Sequence, residues 1–141
     1  MAASGVALVG LAPAAAVVED VATAPPASAE TCFPERGWTV RKGSSVFNTT
    51  LYRWTHLIGS CKNGFRIYSD RTYASNVDFT WSYEGESTNN TWYSPDKKYY
   101  YSQKGGHFQQ CFFFYCTNLY PDVNLRAEYD GDIWVTFTDA G

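Results

Sequence analysis

The sequence predicts an all-β fold: a small antiparallel β-sandwich, immunoglobulin-like in general architecture, of about seven or eight short strands with two disulfides. A small closed β-barrel is the alternative. Three observations predict this class. The chain holds 5 Trp, 11 Tyr and 9 Phe in 141 residues, and aromatic side chains bury large areas and suit a pleated surface better than a helix. Apolar positions recur with a period of two in short runs broken by Gly, Asn, Pro and Asp, whereas no window of a dozen residues shows helical spacing behind a cap. Four cysteines, Cys32, Cys61, Cys111 and Cys116, form an even set, which in a small exported chain reads as two bridges.

Residues 1–29 stand apart from the rest. They contain no Lys, Arg or aromatic residue and end in Ala-Ser-Ala before Glu30. That pattern reads as an Ala/Pro-rich, signal-like export segment, although the usual basic start is missing and Glu19 and Asp20 lengthen the region before the cut. The apolar run from Val6 to Val18 is shorter than the roughly 20 residues that span a bilayer, so no transmembrane anchor is expected. Residues 30–141 form one disulfide-bonded β domain in this reading, and the localisation expected is secreted. Of 14 acidic residues, Glu19 and Asp20 fall in the leader, which leaves 12 against 11 basic ones. A near-neutral chain without a basic stripe is a poor nucleic-acid binder, so no nucleic acid is expected as a stable ligand.

Strands follow in order along the domain. Residues 37–43, GWTVRKG, alternate Trp38 and Val40 against Thr39 and Arg41. One or two strands lead up to Cys61. The Asn63-Gly64 signal then predicts a hairpin between residues 57–61 and 65–69. Residues 76–83 alternate Val77, Phe79, Trp81 and Tyr83 against polar neighbours, as a half-buried strand does. GESTNN, residues 85–90, reads as a loop. Ser94-Pro95-Asp96 reads as a turn before a Tyr run that Gly105-Gly106 is expected to end. Phe112 to Tyr115 form an unbroken aromatic run, expected to be a central strand buried on both faces.

Residues 123–138 predict a second hairpin. A three-residue loop at Asp130-Gly131-Asp132 pairs Tyr129 with Ile133, Ala127 with Val135 and Leu125 with Phe137, and puts Trp134 on the opposite face. A two-residue turn instead sets the apolar return strand beside Glu128, Arg126 and Asn124, and a one-residue slip flips a whole face.

The central-strand reading also fixes the expected bridges. Cysteines five apart on one strand lie roughly 16 Å apart on opposite faces, beyond the about 7 Å a disulfide allows. FFFY contains no turn former. Two long-range bridges, from Cys111 and Cys116 to Cys32 and Cys61, are therefore expected, in either pairing. The cysteine spacings do not form the paired sets of a zinc site, so no metal and no cofactor is expected.

Candidate sites are few. His56 and His107 are the only histidines. A nucleophile–histidine–carboxylate set needs one of them beside Ser or Cys, and no G-x-S-x-G elbow is present. Glu84 and Glu86 flank Gly85, but glycoside hydrolysis needs two carboxylates facing across a cleft. Asp130-Gly131-Asp132 offers oxygens to Ca²⁺, and turn chemistry explains it equally well. The binding residues expected are Trp92, Tyr93, Tyr99, Tyr100 and Tyr101, a cluster of aromatics around a turn that carries Lys97 and Lys98. Exposed aromatics with polar neighbours make platforms for sugars or proteins. The function expected is a non-enzymatic secreted binding or adaptor module that contacts a protein partner or envelope glycan, as part of a larger secreted assembly. The alternatives are a small secreted bacterial toxin or antimicrobial effector, a nuclease among them, and an inhibitor of a secreted hydrolase. The oligomeric state is left open.

Overall fold

The structure, a computed structural model, describes residues 16–21 and 31–141. Nine strands lie among the described residues: β1 (Ala16–Val21), β2 (Glu35–Gly43), β3 (Thr50–Cys61), β4 (Arg66–Ser75), β5 (Ser82–Tyr93), β6 (Tyr99–Phe112), β7 (Tyr115–Leu119), β8 (Asp122–Glu128) and β9 (Ile133–Asp139). They form two antiparallel sheets. One has the order β1-β2-β3-β4; the other runs β5-β6-β8-β9, with β7 also paired to β6. Among the described residues no ladder joins the sheets, so the molecule is a sandwich and not a closed barrel. β1 falls inside the expected export segment and lines the edge of β2 from Ala16↔Val40 to Val21↔Glu35. The expected cleavage site after Ala29 lies outside the described residues.

The core follows from alternation. Trp38 and Val40 of β2 and Tyr52, Trp54 and Ile58 of β3 face Tyr100 and Phe108 of β6, Val123, Leu125 and Ala127 of β8, and Ile133 of β9. Tyr52 stacks on Phe108 with ring centroids 3.8 Å apart, and Trp54 meets the same ring edge-on. β6 runs straight through Gly105-Gly106, where the sequence suggested a strand end. The glycines permit close approach there: a Cβ on Gly106 would lie 3.0 Å from the Trp54 ring, and one on Gly105 would collide with an Asp122 carboxylate oxygen. Glycine in a strand interior commonly marks such a contact.

Other expectations are corrected as well. The hairpin after Cys61 forms, with Cys61 opposite Arg66. Residues 76–81 are a loop, however, and β5 starts at Ser82. Asp78 folds the loop back by accepting from the Thr80 hydroxyl at 2.6 Å and its N–H at 3.1 Å, a local bond that competes with a ladder. GESTNN is strand, accommodated by two register shifts in β5.

In the last hairpin Ala127 pairs with Ile133 and Leu125 with Val135. The loop is thus two residues longer than expected, which preserves the faces. A register shift beside Asn124 then places Phe137 opposite Asn124 and turns it outward, against the expectation that it pairs with Leu125.

The largest correction concerns residues 111–116. They are the tip of the β6–β7 hairpin, with Cys111 directly opposite Cys116 and Phe112 opposite Tyr115. The bridges are Cys32–Cys61 and Cys111–Cys116. The 16 Å separation applied to a single strand, and the segment is two strands. Phe113 occupies the left-handed region at φ 55°, a position usually given to Gly or Asn. That conformation costs roughly 1–2 kcal/mol for an L-residue, a cost set against a ladder and a disulfide that hold the tip closed.

Candidate functional site

Three turns meet at one end of the sandwich. The β2–β3 turn, residues 44–48, closes through Asn48 N–H to Ser44 O at 3.0 Å. The loop of residues 76–81 is tied to the start of β3 by Asp78 N–H donating to Leu51 O at 2.8 Å. The same loop is tied to the base of the β6–β7 hairpin by Gln110 Nε2 donating to Thr80 Oγ1 at 2.9 Å. The stacking of Tyr52 on Phe108 sets β3 and β6 at one level, so the first turn and the hairpin tip project from the same end.

That end carries large apolar side chains in water. Phe79 is 94%, Phe113 99% and Phe114 102% exposed, and Val46, Phe47, Phe112 and Tyr115 are each more than half exposed. Residues 44–48 and 112–115 contain no charged residue. The one acid in residues 76–81, Asp78, is held by Thr80, whose hydroxyl and N–H keep its carboxyl below the usual carboxylate value. The opposite end is charged. Its turns carry Lys62, Asp96, Lys97, Lys98, Asp130 and Asp132. Isolated exposed apolar residues are ordinary, whereas their concentration on neighbouring turns at one end points to an interaction surface.

The binding residues expected from sequence divide between two faces of the β5-β6 ladder. Tyr100 is buried, at 8% exposure, and its hydroxyl donates to Asp70 at 2.7 Å. Tyr93 packs on Tyr100 and on Phe65. Trp92 and Tyr101 stack on the outer face with centroids 5.2 Å apart, and Tyr99 lies beside Tyr101. Register continues this outer row across four strands: Trp92 opposite Tyr101, Tyr101 opposite Arg126, Arg126 opposite Trp134. The Arg126 guanidinium lies 5.2 Å over the Tyr99 ring and pairs with Glu128 at 2.9 Å.

The histidines are separate. His107 Nε2 is 2.7 Å from Asn118 Oδ1, and its ring stacks on Tyr120. His56 is fully buried between the sheets. Its Nδ1 lies 2.6 Å from Val123 O, and its Nε2 lies 2.8 Å from Asp70 Oδ1 and 3.1 Å from Ser102 Oγ. Ser102 Oγ also donates to Asp70 Oδ2 at 2.7 Å. Burial pushes the Asp70 carboxyl up, but bonds from His56, Tyr100 and Ser102 outweigh it and hold the group below its ordinary value.

A serine, a histidine and a carboxylate thus touch, but not as a nucleophilic relay. A relay puts the serine and the acid on opposite ring nitrogens, and here both share Nε2 while a backbone carbonyl takes Nδ1. Ser102 is fully buried. The cluster joins β3 and β4 to β6 and β8 and acts as a polar staple.

The acidic candidates have local partners. Glu84 accepts from Ser82, and Glu86 accepts from Thr72 at 2.8 Å. Glu128, Asp130 and Asp132 hold carboxylate oxygens within 4.8 Å of one another and are the residues that could hold a cation. Turn geometry also accounts for them, since Asp132 N–H donates to Asp130 Oδ1 at 3.2 Å and Gly131 N–H to Glu128 O at 2.9 Å. Among the described residues no helix is long and apolar enough to cross a membrane.

The sequence reading missed the apolar end because it placed Phe79 and Phe112 to Tyr115 in strands and did not single out Val46 and Phe47. A signal was present. From Phe108 to Leu119 the order apolar, Gln, Gln, Cys, aromatic is mirrored by aromatic, Cys, Thr, Asn, apolar, as cross-strand partners would be. Comparison with protein-family models, with curated proteins and with solved structures finds no match for this chain.

Proposed function

We propose that the chain is a secreted, non-enzymatic binding module that contacts its target through exposed aromatics, with the three-turn apolar end as the contact surface. The observation that carries this reading is the exposure of Phe79, Phe113 and Phe114 at one end whose three turns carry Asp78 as their one charged residue, on a sandwich whose other end has charged turns. Two disulfides support an oxidising, extracytoplasmic setting. The Cys111–Cys116 bridge at the base of the tip limits how far its rings can fold back, so the apolar surface is held ready, which lowers the entropic cost of binding.

A second reading rests on the outer row Trp92–Tyr101–Arg126–Trp134. Aromatic edges beside guanidinium donors suit a glycan, the partner class expected from the sequence.

One experiment separates the two. Purified wild type, Phe113→Ser/Phe114→Ser and Trp92→Ala/Trp134→Ala are compared for retention on envelopes prepared from the producing organism. Loss of retention in the tip variant, at unchanged thermal midpoint, is expected. Loss only in the outer-row variant transfers the function to the second surface. Equal retention of all three removes both readings.

A further inference from the structure

We propose that the apolar end docks into the interfacial region of a lipid bilayer, with the β6–β7 tip as its deepest element. The proposal rests on the reading of this end as the contact surface and names its occupant.

Shape is the first argument. The surface is three projecting turns and not a groove. A side chain at 99–102% exposure touches almost nothing else on the protein, so the tip rings are convex knobs. A protein partner would need a matched pocket for each. A fluid apolar phase needs none.

Distribution is the second. The seven exposed apolar side chains are split among three separate turns, residues 44–48, 76–81 and 112–115. A protein partner, or a second copy of this chain, has to match three projections at once, whereas a lipid surface accommodates each independently.

The third argument is the order of polarity along the hairpin. Phe113 lies two residues beyond Cys111, a reach of about 7 Å in extended chain, which agrees with the about 5–10 Å depth of interfacial apolar burial. The next residues down are polar on both strands: Gln109 and Gln110 face Asn118 and Thr117. They fall at headgroup depth when the tip is in the acyl boundary. The backbone of Phe112 and Tyr115 is paired within the ladder, so few unpaired peptide groups leave water.

Charge indicates which lipids matter. The three turns carry no basic residue and one acid, Asp78; the nearest cations, Arg41, Lys42 and Arg53, stand behind the turns in β2 and β3 and are half-buried. The apolar side chains lead and the cations stand behind them, so attachment is driven by apolar burial and is expected to survive high salt.

The test is flotation of the full chain with vesicles of phosphatidylcholine alone and of phosphatidylcholine mixed with phosphatidylglycerol, at low and high salt. Wild type is expected to float with both, with no loss at high salt. Phe113→Ser/Phe114→Ser is expected to partition on the order of 100-fold more weakly, since each buried Phe is worth roughly tenfold or more. The single variant Phe114→Trp, which keeps the tip apolar, is expected to float and to shift its emission to the blue.

Flotation only with the anionic mixture, abolished by salt, overturns the proposal in favour of headgroup electrostatics. Concentration-dependent self-association lost in the Ser variant overturns it in favour of a second copy. Failure to float, combined with tip-dependent retention on whole envelopes, overturns the lipid assignment and leaves the tip as the contact surface. Failure to float with tip-independent retention removes both.

Discussion

Asp70 shows how a single carboxylate ties the two sheets together. It accepts from His56, Tyr100 and Ser102 and is held below its ordinary value by those bonds. A group with a depressed native pKa contributes stability that is fully present above its unfolded value of about 3.9 and is lost as pH falls through the depressed value. Wild-type stability is therefore expected to fall on acidification below about pH 4, and Asp70→Asn is expected to flatten that part of the profile. Asp70→Ala removes the partner of three buried donors and is expected to cost about 3 kcal/mol at neutral pH. Urea titrations across pH check both outcomes. Trp54 and Phe108, both fully buried, test the apolar side of the same interior: either residue changed to Ala is expected to cost about 3–5 kcal/mol. A strand leading to Cys61 was legible in the sequence, whereas the burial of these two residues follows from the placement of the sheets. The His56 cluster was not legible, because its members come from β3, β4 and β6 and no spacing within one segment brings them together.

The β6–β7 hairpin illustrates the same division among elements. Period-two alternation located most strands, and Asn63-Gly64 located a turn, because those signals are local and act through the residues that carry them. The aromatic run of residues 112–115 misled for a physical reason. Unbroken apolarity ordinarily means burial on both faces, and nothing in FFFY favours a turn, yet Phe113 takes a left-handed backbone that the disulfide and ladder hold in place. The mirrored residue order around the run was the readable cue. It explains why Cys111 and Cys116 bond to each other while Cys32 bonds to Cys61. The bridges also differ in access, since Cys111 and Cys116 are exposed and Cys61 is fully buried. Thiol–disulfide exchange requires attack on an accessible sulfur. Brief mild reduction followed by alkylation is expected to label Cys111 and Cys116 well before Cys32 and Cys61. Equal labelling of all four would mean that the core opens along with the tip.

At the scale of the molecule, the sandwich is a polar-to-apolar object. One end presents charged turns, the middle is an aromatic core crossed by a polar staple, and the other end presents seven large apolar side chains to water. Aromatic composition and strand periodicity made the two-sheet class readable. The polarity of the ends was not readable until the strands were placed, because it depends on which turns share an end. Side chains at 99–102% exposure make almost no contact within the fold and add little to its stability. Replacing Phe113 and Phe114 with Ser is accordingly expected to leave the unfolding midpoint within about 0.5 kcal/mol of wild type, measured in urea, while binding is lost.

The most direct measurement is residue-level hydroxyl-radical footprinting of the protein free and bound to vesicles. Strong protection of Phe47, Phe79, Phe113, Phe114 and Tyr115, with Trp92 and Trp134 unchanged, is the predicted result. Protection centred on Trp92, Tyr101 and Trp134, or none at the three turns, would contradict the assignment of the apolar end as the lipid-contacting surface.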